Sequence, residues 1–356
     1  MRILIYRLGS LGDTILALPC FHLIRETHPG ASITVLTNAP VSGKAAPLES
    51  ILDSSGLIDE VIHYPVGLRD PRKLLALARR LRAGRFDLLV SLAAARGFAA
   101  SLRDLLFFKA CGIPKIVGIP FQHRDLVCER RPDGVLFESE VDRLLRRVSS
   151  LGSADLKNRK WVDLGLTPAE RSEANGLLVA NSIEGKFIVA SLGTKSLLKD
   201  WGTPSWAELL VQLSRSHPHL GLVLLGSPDE FNRSAELLKN WSGPVANFCG
   251  VTSPRVSAAL LERAAIYVGH DSGPMHLAAA AGTRCVAIFS AHAPPGQWFP
   301  VGAGHTILYP TTFFDPQRME DLDYQKGALA SIKVSAVLQA AQSILDDGTF
   351  PDSSTN

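Results

Sequence analysis

The chain has no run of about 18 uncharged apolar residues, the length a helix needs to cross a bilayer, so no membrane span is expected. It also lacks a cysteine pattern. The five cysteines (Cys20, Cys111, Cys128, Cys249 and Cys285) are odd in number, widely spaced and free of any C-x-x-C. That argues against a disulfide scaffold or a thiolate zinc site, and fits buried or free thiols of a cytosolic protein. The ten histidines show no H-x-x-x-H or H-x-x-E-H spacing, and no metal is expected. Neither a P-loop nor a G-x-S-x-G elbow occurs. The first turn reads Gly9-Ser10-Leu11-Gly12 instead of G-x-G-x-x-G, and the second strand ends Leu36-Thr37-Asn38 with no acid for a ribose 2′-OH. A nicotinamide dinucleotide is therefore disfavoured.

What is present is an ordinary globular composition, 46% apolar and 20% charged over 356 residues, long enough for two domains each with its own core. The net charge is only +3 but is unevenly placed. Residues 1–180 hold 25 Lys+Arg against 19 Asp+Glu, and residues 181–356 hold 12 against 15. A basic first half suits an anionic partner, though ordinary scatter of surface charge fits the count equally well. No nucleic acid is expected. The opening MRILIYRLGSLGDTILALPCF is not read as a signal peptide, because Arg7, Gly9, Gly12 and Asp13 interrupt its apolar run.

Strand and helix signals alternate throughout. The first half predicts strands at 2–7, 32–37, 60–65, 86–92 and 115–120, with helices over Thr14–His28, Pro71–Ala83 and Phe98–Cys111. The second half predicts strands at 186–192, 221–226, 264–269 and 285–290. Its helices are expected at Ser205–Ser216, Glu230–Trp241, Arg255–Ala264, Met275–Ala281 and Ile332–Leu345. Near-continuous apolar strands alternating with helices mean parallel sheets covered on both faces. The expected fold is α/β: two Rossmann-like, doubly wound domains, over 1–165 and 185–331, with a C-terminal helix and frayed tail over 332–356. A linker with a connecting helix falls in 150–185. Ligands of such sheets bind beyond the strand carboxyl ends, so a cleft between the halves is the expected site.

The strongest chemical signal is GHDSGPMHLAAAAG, 269–282. An apolar strand runs into Asp271, Ser272, Gly273 and Pro274 and then an alanine-rich helix. Free N–H groups at a helix start suit phosphate, Ser272 can cap, and Pro274 gives up no needed donor. Related strand–turn–helix starts occur at RLGSLGD (7–13), SLGTKS (191–196) and LGSPDE (225–230). Asp13, in the turn before the first helix, is either a carboxylate stabilised by the helix dipole or a general base on a loop facing ligand. Lys199 can meet a diphosphate as a point charge, with Thr194 and Lys195 as further contacts, or be a solvated loop lysine. Gly226, Ser227 and Glu230 could face a nucleotide ribose or form a plain helix N-terminus. His276, in the first turn of its helix, is more often packed than catalytic. Asp321 and Asp323 form a D-x-D in a polar segment away from any strand end, a weak metal signal.

These segments together resemble glycosyltransferase family 9, the ADP-heptose:lipopolysaccharide heptosyltransferases. The first strand leads to a loop ending Gly12-Asp13 and a helix bearing Leu18-Pro19. The later D-S-G-P-M-H-L-A-A-A-A-G is followed by W-F-P-V-G at 298–302, and Lys199-Asp200-Trp201 is similar to the family's lysine–aromatic turn. The resemblance implies a GT-B architecture, two Rossmann-like domains facing across a cleft, and inverting transfer without a metal or cofactor. By that resemblance Asp13 is the base for the acceptor hydroxyl, and Lys199, with Thr194, neutralises the leaving diphosphate. Ser272, Gly273 and Pro274 line the phosphate pocket, Asp271 contacts the donor sugar, and Gly12 and His276 belong to the donor site. The implied donor is ADP-heptose and the implied acceptor an anionic glycan or glycolipid such as lipopolysaccharide core. The segment after Pro310 lacks a Cys/His-bearing tail seen in some of these enzymes, which leaves the acceptor open. Another nucleotide sugar, or a non-catalytic nucleotide-sugar-binding protein, are the alternatives. Arg69, Arg72 and Lys73, on a basic amphipathic helix, and Arg124 are candidates for the acceptor or for peripheral contact with the inner membrane of a cytoplasmic protein. A solvated face beside a packed leucine stripe is their plain alternative.

Overall fold

The computed structural model describes residues 1–39, 46–65 and 67–347; the FPDSSTN tail lies outside them. The chain divides into two compact units between Gly165 and Leu166. In the first, β1 (Arg2–Tyr6), β2 (Ser32–Asn38), β3 (Glu60–Tyr64), β4 (Leu88–Ser91) and β5 (Lys115–Val117) form a parallel sheet in the order β3-β2-β1-β4-β5. The central strand places Ile3, Leu4 and Ile5 fully inside. A strand covered on both faces needs such a continuous apolar run.

The helices of this unit are α1 (Leu11–Leu16), α2 (Leu18–Thr27), α3 (Glu49–Leu52), α4 (Pro71–Ala83), α5 (Phe98–Ala110), α6 (His123–Leu126) and α7 (Glu140–Arg147). The helix expected over Thr14–His28 is two helices. Pro19 lacks the N–H that would bond back to Ile15, so the helix restarts with proline in its first turn. The leucine stripe expected on α4 is present: Leu81 is buried and Leu77 and Ala78 pack against the same core, with Leu74 half-buried on that face and Leu75 exposed on another.

In the second unit, β6 (Phe187–Ser191), β7 (Gly221–Leu224), β8 (Val245–Asn247), β9 (Ile266–His270), β10 (Cys285–Ile288) and β11 (Thr306–Leu308) form a parallel sheet in the order β11-β10-β9-β6-β7-β8. Edge strands β8 and β11, three residues each, fell below the sequence signal. Helices α8 (Pro168–Ala180), α9 (Thr203–Ser216), α10 (Phe231–Leu238), α11 (Pro254–Glu262), α12 (Gly273–Ala281), α13 (Leu322–Ser331) and α14 (Val334–Asp346) cover it. The connecting helix α8 belongs to this unit, capped by Thr167 and Glu170 and held to α11 by the Glu170–Arg255 ion pair. Helix α14 adds Val337, Ala341 and Ile344 to a core shared with Trp206, Leu209 and Leu213 of α9.

Strand order reverses direction between β1 and β4 in one sheet and between β6 and β9 in the other. Such switch points open a crevice at the strand carboxyl ends, where doubly wound sheets bind ligands. Both candidate stretches, Arg7–Asp13 and Lys199/Asp271, follow strands that flank these points.

Candidate active site

In the first unit the chain leaves β1 through Arg7, which is buried. Its guanidinium donates to the Leu92 carbonyl beyond β4 at 2.5 Å and to the backbone oxygen of Asp13. The turn at the switch point is thus tied to both flanking strands. Gly9 has φ +137°, and a Cβ there would lie 2.5 Å from Asp13 Cβ, so glycine is needed for the carboxylate to fold over the turn. Asp13 Oδ2 accepts from the Ser10 N–H at 2.7 Å and the Ser10 hydroxyl at 3.0 Å, while Oδ1 stands 3.7 Å from Arg7 Nη2. These are capping-box bonds, so Asp13 has a structural duty. It is also oriented and 28% exposed, as a base requires. Gly12 is buried beside it on α1, in a different unit from the other donor candidates.

A second feature of this unit lay outside the sequence reading. Beyond β4 and β5 a recess is lined by Ser91, Arg96, Ser101, Asp104 and Ile119. Arg96 donates to Asp104 at 2.6 Å and to the Tyr6 hydroxyl at 3.1 Å, and Tyr6 bonds Tyr64 at 2.9 Å. Among the acceptor candidates, Arg69, Arg72, Lys73 and Arg124 are all exposed: Arg69 just before the α4 N-cap, Arg72 and Lys73 in the first turn of α4, and Arg124 in α6.

The second unit gathers most of the remaining candidates around β6 and β9. Lys199 Nζ donates to Asp271 Oδ2 at 2.5 Å, and His276 Nε2 is 3.8 Å from Asp271 Oδ1. Asp271 itself is buried, its N–H bonded to the Ile288 carbonyl at 3.0 Å. The N–H groups of Met275 and His276 turn back to the Ser272 carbonyl at 3.2 and 3.4 Å, leaving the earlier N–H of Gly273 without an intrahelical acceptor. Pro274 sits in that first turn. Ser272 occupies the N-cap by backbone geometry, but its side chain makes no cap hydrogen bond, contrary to the sequence expectation. Helix α12 is buried from Met275 to Ala281 and ends at Gly282 with φ +84°, so its amino end faces a fixed direction.

Glu230 lies against the turns after β6 and β7. A Cβ on Gly193 or Gly226 would strike its carboxyl group, and Ser227 Oγ donates to it at 2.8 Å. Burial pushes the Glu230 carboxyl up, against the opposing pull of the Ser227 bonds. Gly193 was missed by sequence reasoning as a site residue, although it stands in the SLGTKS turn. Thr194 spends its hydroxyl locally, bonding Ser196 O and N at 3.3 Å each, and Lys195 is exposed. The D-x-D pair is a helix start: Asp321 caps α13 by accepting from Tyr324 N at 3.0 Å. Among the described residues no group of three or more His, Cys, Asp or Glu is placed to hold a metal ion.

An oriented carboxylate thus stands at the switch point of one sheet, and a lysine beside a helix amino end at that of the other. The two sheets define a GT-B type α/β protein, and the comparisons agree. The model for glycosyltransferase family 9 (heptosyltransferase) matches residues 74–321. The chain belongs to glycosyltransferase family 9 and is a glycosyltransferase. It is 21% identical to lipopolysaccharide heptosyltransferase 3 of Escherichia coli (strain K12) over 94% of this chain and 96% of that one. A family 9 glycosyltransferase from Veillonella parvula superposes with a TM-score of 0.75 at 19% identity, covering 98% of each chain. ADP-heptose lipopolysaccharide heptosyltransferase II of E. coli gives 0.69 at 19% identity, with 98% and 99% covered.

Proposed function

We propose that this chain moves a heptose, with inversion and without a metal, from ADP-heptose to a hydroxyl of an anionic glycan or glycolipid of the lipopolysaccharide-core type. The observation that carries this reading is the Lys199–Asp271 pair beside the amino end of α12 at the β6/β9 switch point. A diphosphate leaving group gathers negative charge as the sugar bond breaks, and a lysine with the Gly273 N–H and the positive end of the α12 dipole can take the place of a cation there. Donor phosphate would compete with Asp271 for Lys199, freeing the Asp271 carboxylate for the sugar. Asp13 would accept the proton of the attacking hydroxyl, and the half-buried Glu230 with Ser227 would meet the ribose. The ADP-heptose named for the similar E. coli enzyme supports the donor identity. The test is a thermal-shift panel of ADP-, GDP-, UDP- and CMP-sugars in chelator. A ligand at a hundred times its Kd stabilises by about 2.7 kcal/mol, so ADP-heptose should raise Tm by several degrees and the others by less. No shift with any member contradicts the reading.

For the acceptor side we propose that the first unit rests on the anionic surface of the inner membrane, at its cytoplasmic face. No single helix among the described residues is long and apolar enough to cross a membrane. Helix α5, however, exposes Phe98, Leu102 and Leu106 at 58%, 41% and 60%, spaced by four residues on one face. Residues 69–131 around it hold 14 Lys+Arg against five Asp+Glu. Apolar side chains within a basic surround suit an anionic lipid interface. The chain should float with vesicles containing phosphatidylglycerol and not with phosphatidylcholine alone, and L102E/L106E should abolish flotation. Equal flotation by the double variant contradicts the assignment.

A further inference from the structure

Three consecutive residues, Lys199, Asp200 and Trp201, are tied by side-chain hydrogen bonds to the end of β9 and to α10. Lys199 binds Asp271 after β9. Asp200 takes a two-pronged bond from Arg233 of α10 at 2.8 and 3.0 Å, and accepts from Gly202 N at 2.9 Å. The Trp201 N–H donates to His270 Nε2 at 3.0 Å, and its indole N–H donates to the Ile332 carbonyl at 3.0 Å. His270 is fully buried, with its ring edge-on to Trp206 at 5.3 Å and 87°. His270 and Asp271, adjacent at the end of β9, therefore anchor Trp201 and Lys199 two residues apart. The histidine lies within the strongest motif of the chain, yet the mechanism gives it no role.

We propose that His270 is a positioning residue: its neutral imidazole fixes the Lys199–Trp201 turn to the carboxyl end of β9 and so sets where the diphosphate-binding lysine stands. Accepting at Nε2 requires the ring proton on Nδ1 and no second proton. Burial supplies that state by pushing the imidazole down to about 4, against the upward pull of the Asp200 charge. Arg233 favours the neutral form, while Asp271 opposes it. At neutral pH the ring is thus a fixed acceptor and not a switch. Side chains differ in whether they can replace it. Glutamine places an amide oxygen near the Nε2 position, asparagine stops near Nδ1, and phenylalanine keeps the ring against Trp206 without any acceptor.

The role in donor binding rests on the proposed function, whereas the tether does not, and the experiment separates them. Amide hydrogen exchange is followed at Trp201 in the full-length wild type, H270N, H270F and H270Q, with ADP-heptose and acceptor KM measured in parallel. Trp201 protection should be lost in H270N and H270F and retained in H270Q, with exchange in β6 and β9 unchanged. The donor KM should rise about tenfold in the two loss variants, the scale of one unmade buried hydrogen bond, while the acceptor KM stays put and H270Q recovers most of the difference. Wild-type protection and donor KM in H270N and H270F overturn the proposal, as does failure of H270Q to restore either. A wild type that binds no ADP-sugar sinks the proposed function, and exchange at Trp201 still decides the tether.

Discussion

Asp13→Asn is expected to lower kcat on the order of 10²–10⁴-fold, the range general-base catalysis supplies, while leaving donor affinity intact. The substitution is chosen for its shape. Asparagine keeps an oxygen where Oδ2 accepts from the Ser10 N–H and hydroxyl, so the turn above Gly9 survives. Asp13→Ala removes the cap as well, at about 0.5–2 kcal/mol of stability. The two variants therefore separate the duties of one carboxylate: both lose turnover, and only alanine should lose appreciable Tm. Steady-state kcat with thermal melts of each variant makes the comparison. If D13N turns over within a few-fold of wild type, Asp13 is a helix cap and nothing more.

Lys199→Met should cut kcat/KM for the donor by roughly 10²–10³-fold, the loss that follows removal of one group stabilising charge on a reacting oxygen. Two effects of the change must be distinguished. It removes the cation that would face the departing diphosphate, and it strands the buried Asp271 carboxylate without its 2.5 Å partner. Stranding a fully buried ion costs about 3–5 kcal/mol, but Lys199 is 22% exposed and water reaches the pair, so the cost should be well below that range. The double variant K199M/D271N removes the stranded charge. It should recover Tm without recovering turnover. Recovery of turnover in the double variant would mean that the lysine serves only to neutralise Asp271.

Much of the scaffold was legible because parallel strands covered on both faces must be written as apolar runs. Ile3–Ile5 and Ile266–Val268 could hardly be anything else. The three-residue strands at Val245–Asn247 and Thr306–Leu308 carry too few residues to form such a run, and their pairing with β7 and β10 is set in three dimensions. Helix α13 was hidden because a polar segment opening on Asp321 reads as loop until its cap is seen. At the site, Lys199, Asp271 and Glu230 were visible as residue types in the right turns. Gly193, Arg96 and Arg233 were not, since each acts through a partner far along the chain: Glu230, Tyr6 and Asp200 respectively. His270 stood in plain view and was passed over, because its value lies in the backbone N–H it accepts from Trp201.

The most direct measurement is a calorimetric titration of ADP-heptose, in chelator, into the wild type, D13N and K199M. Binding by the wild type, an equal affinity in D13N, and an affinity at least about tenfold weaker in K199M, a difference of 1.4 kcal/mol, are the expected results. A silent wild type, or a donor that binds K199M normally and D13N not at all, would contradict the assignment of donor binding to the second unit.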